Sequence, residues 1–153
     1  MLDKPKIVQT IAQLTAVIPL KIAKDPIRVM MGPGIQELMS TVAAQGIKPT
    51  GAWMSRHFKI DESGWDFEIT IPVATAVKPQ GRVTPSELSP RKVARAIYRG
   101  PYEGLATAWQ ELDGWARANG HSPAVDLWEQ YVKGPESGTD PSKWETELNR
   151  PLA

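Results

Sequence analysis

The sequence predicts an α+β fold of two duplicated βαββ units related by pseudo-two-fold symmetry. It would have an antiparallel sheet, one helix per unit and a central ligand cleft. Three observations carry this expectation. The first is self-similarity: Gln45-Gly46-Ile47-Lys48-Pro49 returns 74 positions on (45 to 119) as Asn119-Gly120-His121-Ser122-Pro123. Likewise Trp65-Asp66-Phe67-Glu68-Ile69-Thr70-Ile71-Pro72-Val73-Ala74 returns 79 positions on (65 to 144) as Trp144-Glu145-Thr146-Glu147-Leu148-Asn149-Arg150-Pro151-Leu152-Ala153. The second is that hydrophobic patterns of the same kind follow in the same order in each half. The third is length, since 153 residues suit one domain of two small fused units. Residues 1–153 are therefore read as a single domain, with repeat one at about 8–75, a linker at about 76–90 and repeat two at about 91–153.

Each half opens on a strand, Leu14 to Ile22 and then Lys92 to Tyr98. A helix follows. Ile35, Leu38, Met39, Val42 and Ala43 form one apolar stripe at helical spacing, and Leu105, Ala108, Trp109, Leu112 and Ala116 form the second. Gly46 and Gly120 end these helices, because glycine tolerates the left-handed conformation of a helix stop. Two strands complete each unit: Gly51–Phe58 with Asp66–Val73, and Val125–Val132 with Glu145–Leu152. Lys78 to Pro90 carries three prolines and a glycine and reads as the linker. One helix over three strands is too little core to stand alone, so the units are expected to share a sheet. The cleft where they meet is a favoured position for a ligand.

Composition narrows the chemistry. The chain has no cysteine, which excludes disulfides, thiolate metal sites and a cysteine nucleophile. His57 and His121 are its two histidines, too few for a histidine metal cage, and no metal and no cofactor are expected. There is no P-loop, G-x-G-x-x-G, G-x-S-x-G or H-E-x-x-H motif. Eighteen Lys and Arg against 17 Asp and Glu leave a net charge of +1, too balanced to track phosphates, so no direct nucleic-acid partner is expected. The start carries no apolar signal core, and the run Thr15 to Leu20 is far short of a bilayer span, so a cytoplasmic protein without a membrane partner is expected. Arg91, Arg95 and Arg99 share a strand face with Val93 and Ile97 and read as a solvated edge. Six tryptophans, against three tyrosines and two phenylalanines, demand large flat apolar surfaces.

Strand alternation sorts the candidate site residues. Leu127, Glu129 and Tyr131 share one face, and Trp128, Gln130 and Val132 the other. Shifted by the repeat, their first-unit counterparts are Trp53, Ser55 and His57. The core positions of the two units agree while the polar ones diverge, which suggests an asymmetric site. Glu129 fits either a solvent-facing strand carboxylate or an acid among aromatic walls, the usual arrangement for recognising a lipophilic cation. Trp65 and Trp144 are repeat equivalents and are assigned to a shared core role. Trp109 lies within the helical stripe and is also assigned to core. Trp128 is expected to pack under the helix, leaving Trp53 and Trp115 as pocket walls. Glu103, in the first turn of the second helix, is accounted for by the helix dipole.

The second half resembles a known family. The residues are Tyr98-Arg99-Gly100-Pro101-Tyr102-Glu103-Gly104-Leu105, Trp115, Trp128-Glu129-Gln130-Tyr131 with Pro135, and Thr146-Glu147 before Pro151-Leu152. Together they are similar to the gyrase-inhibitor-like (GyrI-like) small-molecule-binding family, the effector-binding domain of bacterial AraC-type and MerR-type multidrug-responsive regulators. The resemblance implies a stand-alone binding module for lipophilic aromatic, cationic small molecules, with Glu129 as the acid and Tyr131 beside it. Trp53, Trp115, Leu127, His57 and Tyr98 complete the expected ligand-binding set. Macromolecular partners consistent with it are a regulator protein or a second copy. Two other functions stay open. Stand-alone relatives hydrolyse strained cyclopropane electrophiles, which would make Glu129 a general base and Tyr131 its catalytic companion. The family name also implies a protein inhibitor that binds gyrase.

Overall fold

Apolar–polar alternation places backbone amides and carbonyls in extended runs that must pair with neighbours. In the computed structural model residues 2–22, 27–61, 64–134 and 138–153 are described, without the side chains of 21, 22, 27–32, 59–61 and 64–66. Among them lie eight strands and two α-helices, an α+β fold. The elements are β1 (Lys6–Gln9), β2 (Gln13–Ile22), α1 (Ile27–Ala44), β3 (Met54–Asp61), β4 (Gly64–Pro72) and β5 (Thr84–Leu88), followed by β6 (Lys92–Arg99), α2 (Leu105–Ala118), β7 (Leu127–Lys133) and β8 (Glu145–Pro151). No helix among the described residues is long and apolar enough to cross a membrane.

The chain divides into two compact units, Ile11–Pro90 (the N-terminal unit) and Met1–Thr10 with Arg91–Ala153 (the C-terminal unit). The N-terminal unit pairs its antiparallel strands in the order β3-β4-β2-β5. The C-terminal unit pairs its own in the order β7-β8-β6-β1. Their registers correspond residue by residue. His57 faces Phe67 in one and Tyr131 faces Thr146 in the other. A register shift follows each of these pairs, between His57 and Lys59 and between Tyr131 and Lys133. Isolated bridges also match, Pro49 to Val73 and Pro123 to Leu152. Such a shift increases local twist and re-aims the side chains beside it.

Each helix covers one face of its own strands. In the N-terminal unit Leu38 and Val42 of α1 are buried with Ala16, Ile18, Phe67, Ile69 and Ile71, and Ile35 is packed against them. The expected stripe is narrower than its pattern, because Met39 is exposed, as is Ala43. Pro33 lies within the helix. Gly34 allows a close approach to β4, since a Cβ there would fall 2.6 Å from Ile69 Cδ1. In the C-terminal unit Ala108, Leu112 and Ala116 of α2 are buried against Ala94, Ala96 and Leu148. Both helices stop as expected. Gly46 and Gly120 take φ of 69° and 81°. Beyond them, Ile47 N–H donates to Val42 O and His121 N–H to Ala116 O.

Three expectations change. The stretch read as a linker carries β5, whose Pro85 is tolerated because β5 pairs with β2 alone among the described residues. The short β1, with alternation too brief to signal a strand, pairs with β6. β6 is consequently an interior strand and not an edge, and its arginines and the preceding Arg91 form ion pairs, with Arg99 still exposed. Arg91 meets Asp126 at 2.5 Å, Arg95 meets Glu147 at 3.2 Å and Asn149 at 2.7 Å, and Arg99 meets Asp3 and Glu145.

The turn from β6 into α2 is built around one phenol. Tyr98 is buried, and its hydroxyl donates to Pro101 O at 2.7 Å. A Cβ at Gly104 would lie 2.1 Å from that hydroxyl oxygen, and one at Gly100, which has φ 142°, would lie 2.9 Å away. Both glycines of Gly100-Pro101-Tyr102-Glu103-Gly104 are thus required by Tyr98. Gly104 has a helical backbone, φ −86° and ψ −4°, that alanine accepts freely. Gly104→Ala should therefore destabilise through the clash alone, by about 1–3 kcal/mol in urea denaturation. The loss should shrink when Tyr98→Phe removes the hydroxyl, and an equal loss in both backgrounds would contradict this account.

Candidate functional site

The face of the C-terminal strands beneath α2 holds the polar group hardest to bury. Across β7 and β8, Glu129 faces Leu148, which is fully buried with Leu112 and Ala116 of α2. Glu129 therefore looks toward the helix, and Tyr131, two residues on, looks the same way. Glu129 Oε1 accepts from Trp109 Nε1–H at 2.7 Å, and Oε2 accepts from the Tyr131 hydroxyl at 2.7 Å. Among the described residues no lysine or arginine forms an ion pair with it. Burial raises the Glu129 pKa above the usual carboxylate range, against the opposing pull of the bonds from Trp109 and Tyr131. The arrangement is an acid in an aromatic setting, held by two neutral donors.

Aromatic rings continue from this carboxyl. Tyr102 meets Tyr131 edge-on at 5.9 Å between centroids and lies against Trp144 at 5.0 Å. Trp144 Nε1–H donates to Gly138 O at 3.1 Å. Beyond Trp109, the Arg150 guanidinium lies 5.4 Å from the indole centroid. Arg150 is held to Asp113, one helical turn after Trp109, through bonds of 2.8 and 2.7 Å. That fork-to-fork pairing ties α2 to β8 and holds the indole whose N–H reaches Glu129.

The residues singled out from the sequence distribute unevenly. Glu129 and Tyr131 come together as expected, with Leu127 buried on the same face. Tyr98 is a buried support for the β6–α2 turn, and Trp115 packs half-buried against the core under α2. Trp53 and His57 belong to the N-terminal unit, where Trp53 packs against the core. His57 is buried, stacks on Phe67 at 5.2 Å and shares a hydrogen bond of 2.8 Å with Ser55 Oγ. Burial lowers its pKa from the ordinary 6.5 to about 4, so the ring is neutral near pH 7.

Several assignments need correction. Trp109 is only half-buried and is a partner of the acid, not simply core. Trp144 is likewise half-buried, with its ring on Tyr102. The side chain of its repeat equivalent, Trp65, lies outside the described residues. Trp128 is buried, but it faces Asn149 on the side away from α2, because β7 alternates there. Sequence reasoning left Trp109, Tyr102 and Trp144 out of the site. The available signal was chemical: a tryptophan on a helix face carries an N–H that needs a partner when covered.

Comparison with known proteins bears on the fold. The GyrI-like small molecule binding domain family matches residues 8–153. No curated protein matches the chain. The structure of the EcmrR C-terminal domain superposes with a TM-score of 0.85 at 21% identity, covering 98% of this chain and 97% of that one. Against EcmrR in its DNA complex the TM-score is 0.83 at 21% identity, and this chain covers 57% of that longer one. SAV2435, solved bound to tetraphenylphosphonium, gives 0.65 at 10% identity, covering 99% of this chain and 94% of that one. A hydrolase from Listeria innocua gives 0.70 at 13% identity, covering 98% and 92%.

Two outcomes follow from this geometry. Trp109→Phe and Tyr131→Phe each remove a donor that favours the charged carboxylate. Each should move the Glu129 titration further upward, read by carboxyl carbon NMR, and an unmoved titration would show that the acid is held otherwise. For His57 the folded pKa lies below the unfolded one, so its stabilisation is complete above pH 6.5 and is lost as pH falls through 4. The gap corresponds to roughly 3 kcal/mol at about 1.4 kcal/mol per unit. Urea titrations between those pH values should show this loss in the native protein and a flatter profile in His57→Gln.

Proposed function

Because the chain belongs to the GyrI-like small-molecule-binding domain family, we propose that its ligand is a lipophilic aromatic cation held at Glu129. The observation that carries this reading is the acid itself. Its carboxyl lies half-buried beneath α2 and engages two neutral donors, while Tyr131, Tyr102 and Trp144 supply ring surface alongside. Taking a carboxylate out of water without a cation is costly, and a delocalised organic cation removes that cost while stacking on the rings. The tetraphenylphosphonium bound by SAV2435 is a cation of this kind.

The hydrolytic alternative asks Glu129 to take a proton from water. Hydrogen bonds donated by Trp109 and Tyr131 stabilise the charged carboxylate and lower its basicity, which counts against it as a base.

Binding of tetraphenylphosphonium should quench the intrinsic tryptophan fluorescence. Glu129→Gln should lower that affinity by about tenfold or more, equivalent to about 1.4 kcal/mol per decade, while leaving a neutral aromatic of similar size within twofold. Affinity for the cation should also rise with pH. Below its raised pKa Glu129 is neutral and offers no ion pair, and ionisation above it supplies one. A glutamine variant that retains full preference for the cation would refute the role of Glu129.

A further inference from the structure

One buried hydroxyl beside Glu129 is left over. Thr146 is completely buried, and its Oγ1 has no hydrogen-bond partner among the described residues. A buried hydroxyl without a partner destabilises a fold, and native structures seldom keep one without a reason. Its position is the informative part. Thr146 faces Tyr131 on β7 and Tyr98 on β6, and Leu148, two residues along the same strand face, lies under α2. Thr146 is therefore on the face that carries Glu129 and Tyr131, adjoining the ring that packs on Tyr102.

The N-terminal unit shows a different occupant of this position. The register equivalent of the Tyr131–Thr146 pair is His57–Phe67. There Phe67 is 1% exposed, and its ring stacks on His57 at 5.2 Å and 15°. There a fully apolar ring fills the space. In the C-terminal unit the same position has a side chain less than half that size, with a hydroxyl that nothing described satisfies. Valine would match threonine in shape and β propensity without the unmet hydroxyl.

We infer that Thr146 is a specificity-determining contact, donating or accepting a hydrogen bond with a polar ring substituent of the ligand while Glu129 meets its charge. The inference rests on the reading of Glu129 above and narrows the ligand class to aromatic cations that carry an amino or similar hydrogen-bonding group.

Two probes separate the terms. Tetraphenylphosphonium has charge and rings but no hydrogen-bonding atom, whereas proflavine is a flat cation with ring amino groups. In Thr146→Val the melting temperature should hold or rise, and tetraphenylphosphonium affinity should stay within about twofold. Proflavine affinity should fall by roughly five- to tenfold, the size of one neutral hydrogen bond. Thr146→Ser, which keeps the hydroxyl, should restore it. Unchanged proflavine binding in the valine variant would overturn the inference, as would an equal loss for both probes, which would mark Thr146 as shaping the site. Failure of the valine variant to fold would also overturn it, because the hydroxyl would then hold the fold. If Glu129→Gln loses cation preference while Thr146→Val leaves proflavine binding intact, this inference alone fails. If the native protein binds neither probe, the Glu129 reading falls and takes this one with it.

Discussion

A carboxyl group removed from water has to be neutral, paired or hydrogen-bonded, and the C-terminal unit is organised around meeting that condition at Glu129. The donor on Oε1 comes from α2 and the donor on Oε2 from the same strand, so the acid joins helix and sheet. The rotation of α2 follows from this. Trp109 must point its N–H at the carboxyl, and one turn later Asp113 must meet Arg150, whose guanidinium lies over the indole. The buried stripe Ala108, Leu112 and Ala116 supplies the apolar contact, and the polar pair sets how the helix is turned upon it. Upstream, Tyr98 beneath Gly100 and Gly104 fixes where the helix begins. That turn also presents Tyr102 to Tyr131 and Trp144.

The N-terminal unit repeats the framework with different polar content. Element order, strand order, the register of β3 on β4 and the shift after His57 all match their counterparts in the C-terminal unit. At the positions of Glu129 and Tyr131 it has Ser55 and His57, also joined across two residues by a hydrogen bond. Burial acts in the same sense on both, favouring the neutral form. Burial raises the pKa of an acid in one unit and lowers that of an imidazole in the other, so near neutral pH the N-terminal pair carries no charge. Phe67 then closes the space against His57, where the C-terminal unit has Thr146. Backbone geometry is thus common to the two units, and a few strand positions decide which polar or apolar groups each face carries.

How much of this was legible in the sequence depends on the range of the interaction involved. Strand and helix periods, the glycine stops at Gly46 and Gly120, and the shared face of Leu127, Glu129 and Tyr131 follow from local geometry, and the structure has them. β5 escaped notice because proline usually marks a break, and only its edge position makes Pro85 acceptable. β6 reads as an edge because its outer neighbour, β1, is too short to announce itself. Trp128 was placed on the correct strand face, but which face meets the helix is not a local property. Trp109 and Trp144 read as core from stripe and repeat positions, which say nothing of where an indole N–H points.

By itself, then, the sequence determined the α+β class, the helix and strand periods and the shared strand face of Glu129 and Tyr131, since each depends on residues a few positions apart. Only the tertiary structure decided which partners that acid has. Trp109 is 20 residues from Glu129 along the chain, and Thr146 meets Tyr131 only through the pairing of β7 with β8. Hydrogen bonds are directional and short, so the choice between an indole in the core and an indole holding a carboxyl rests on ångström-scale placement of α2 over the sheet. No spacing in the chain encodes that placement directly; it emerges from packing many side chains at once.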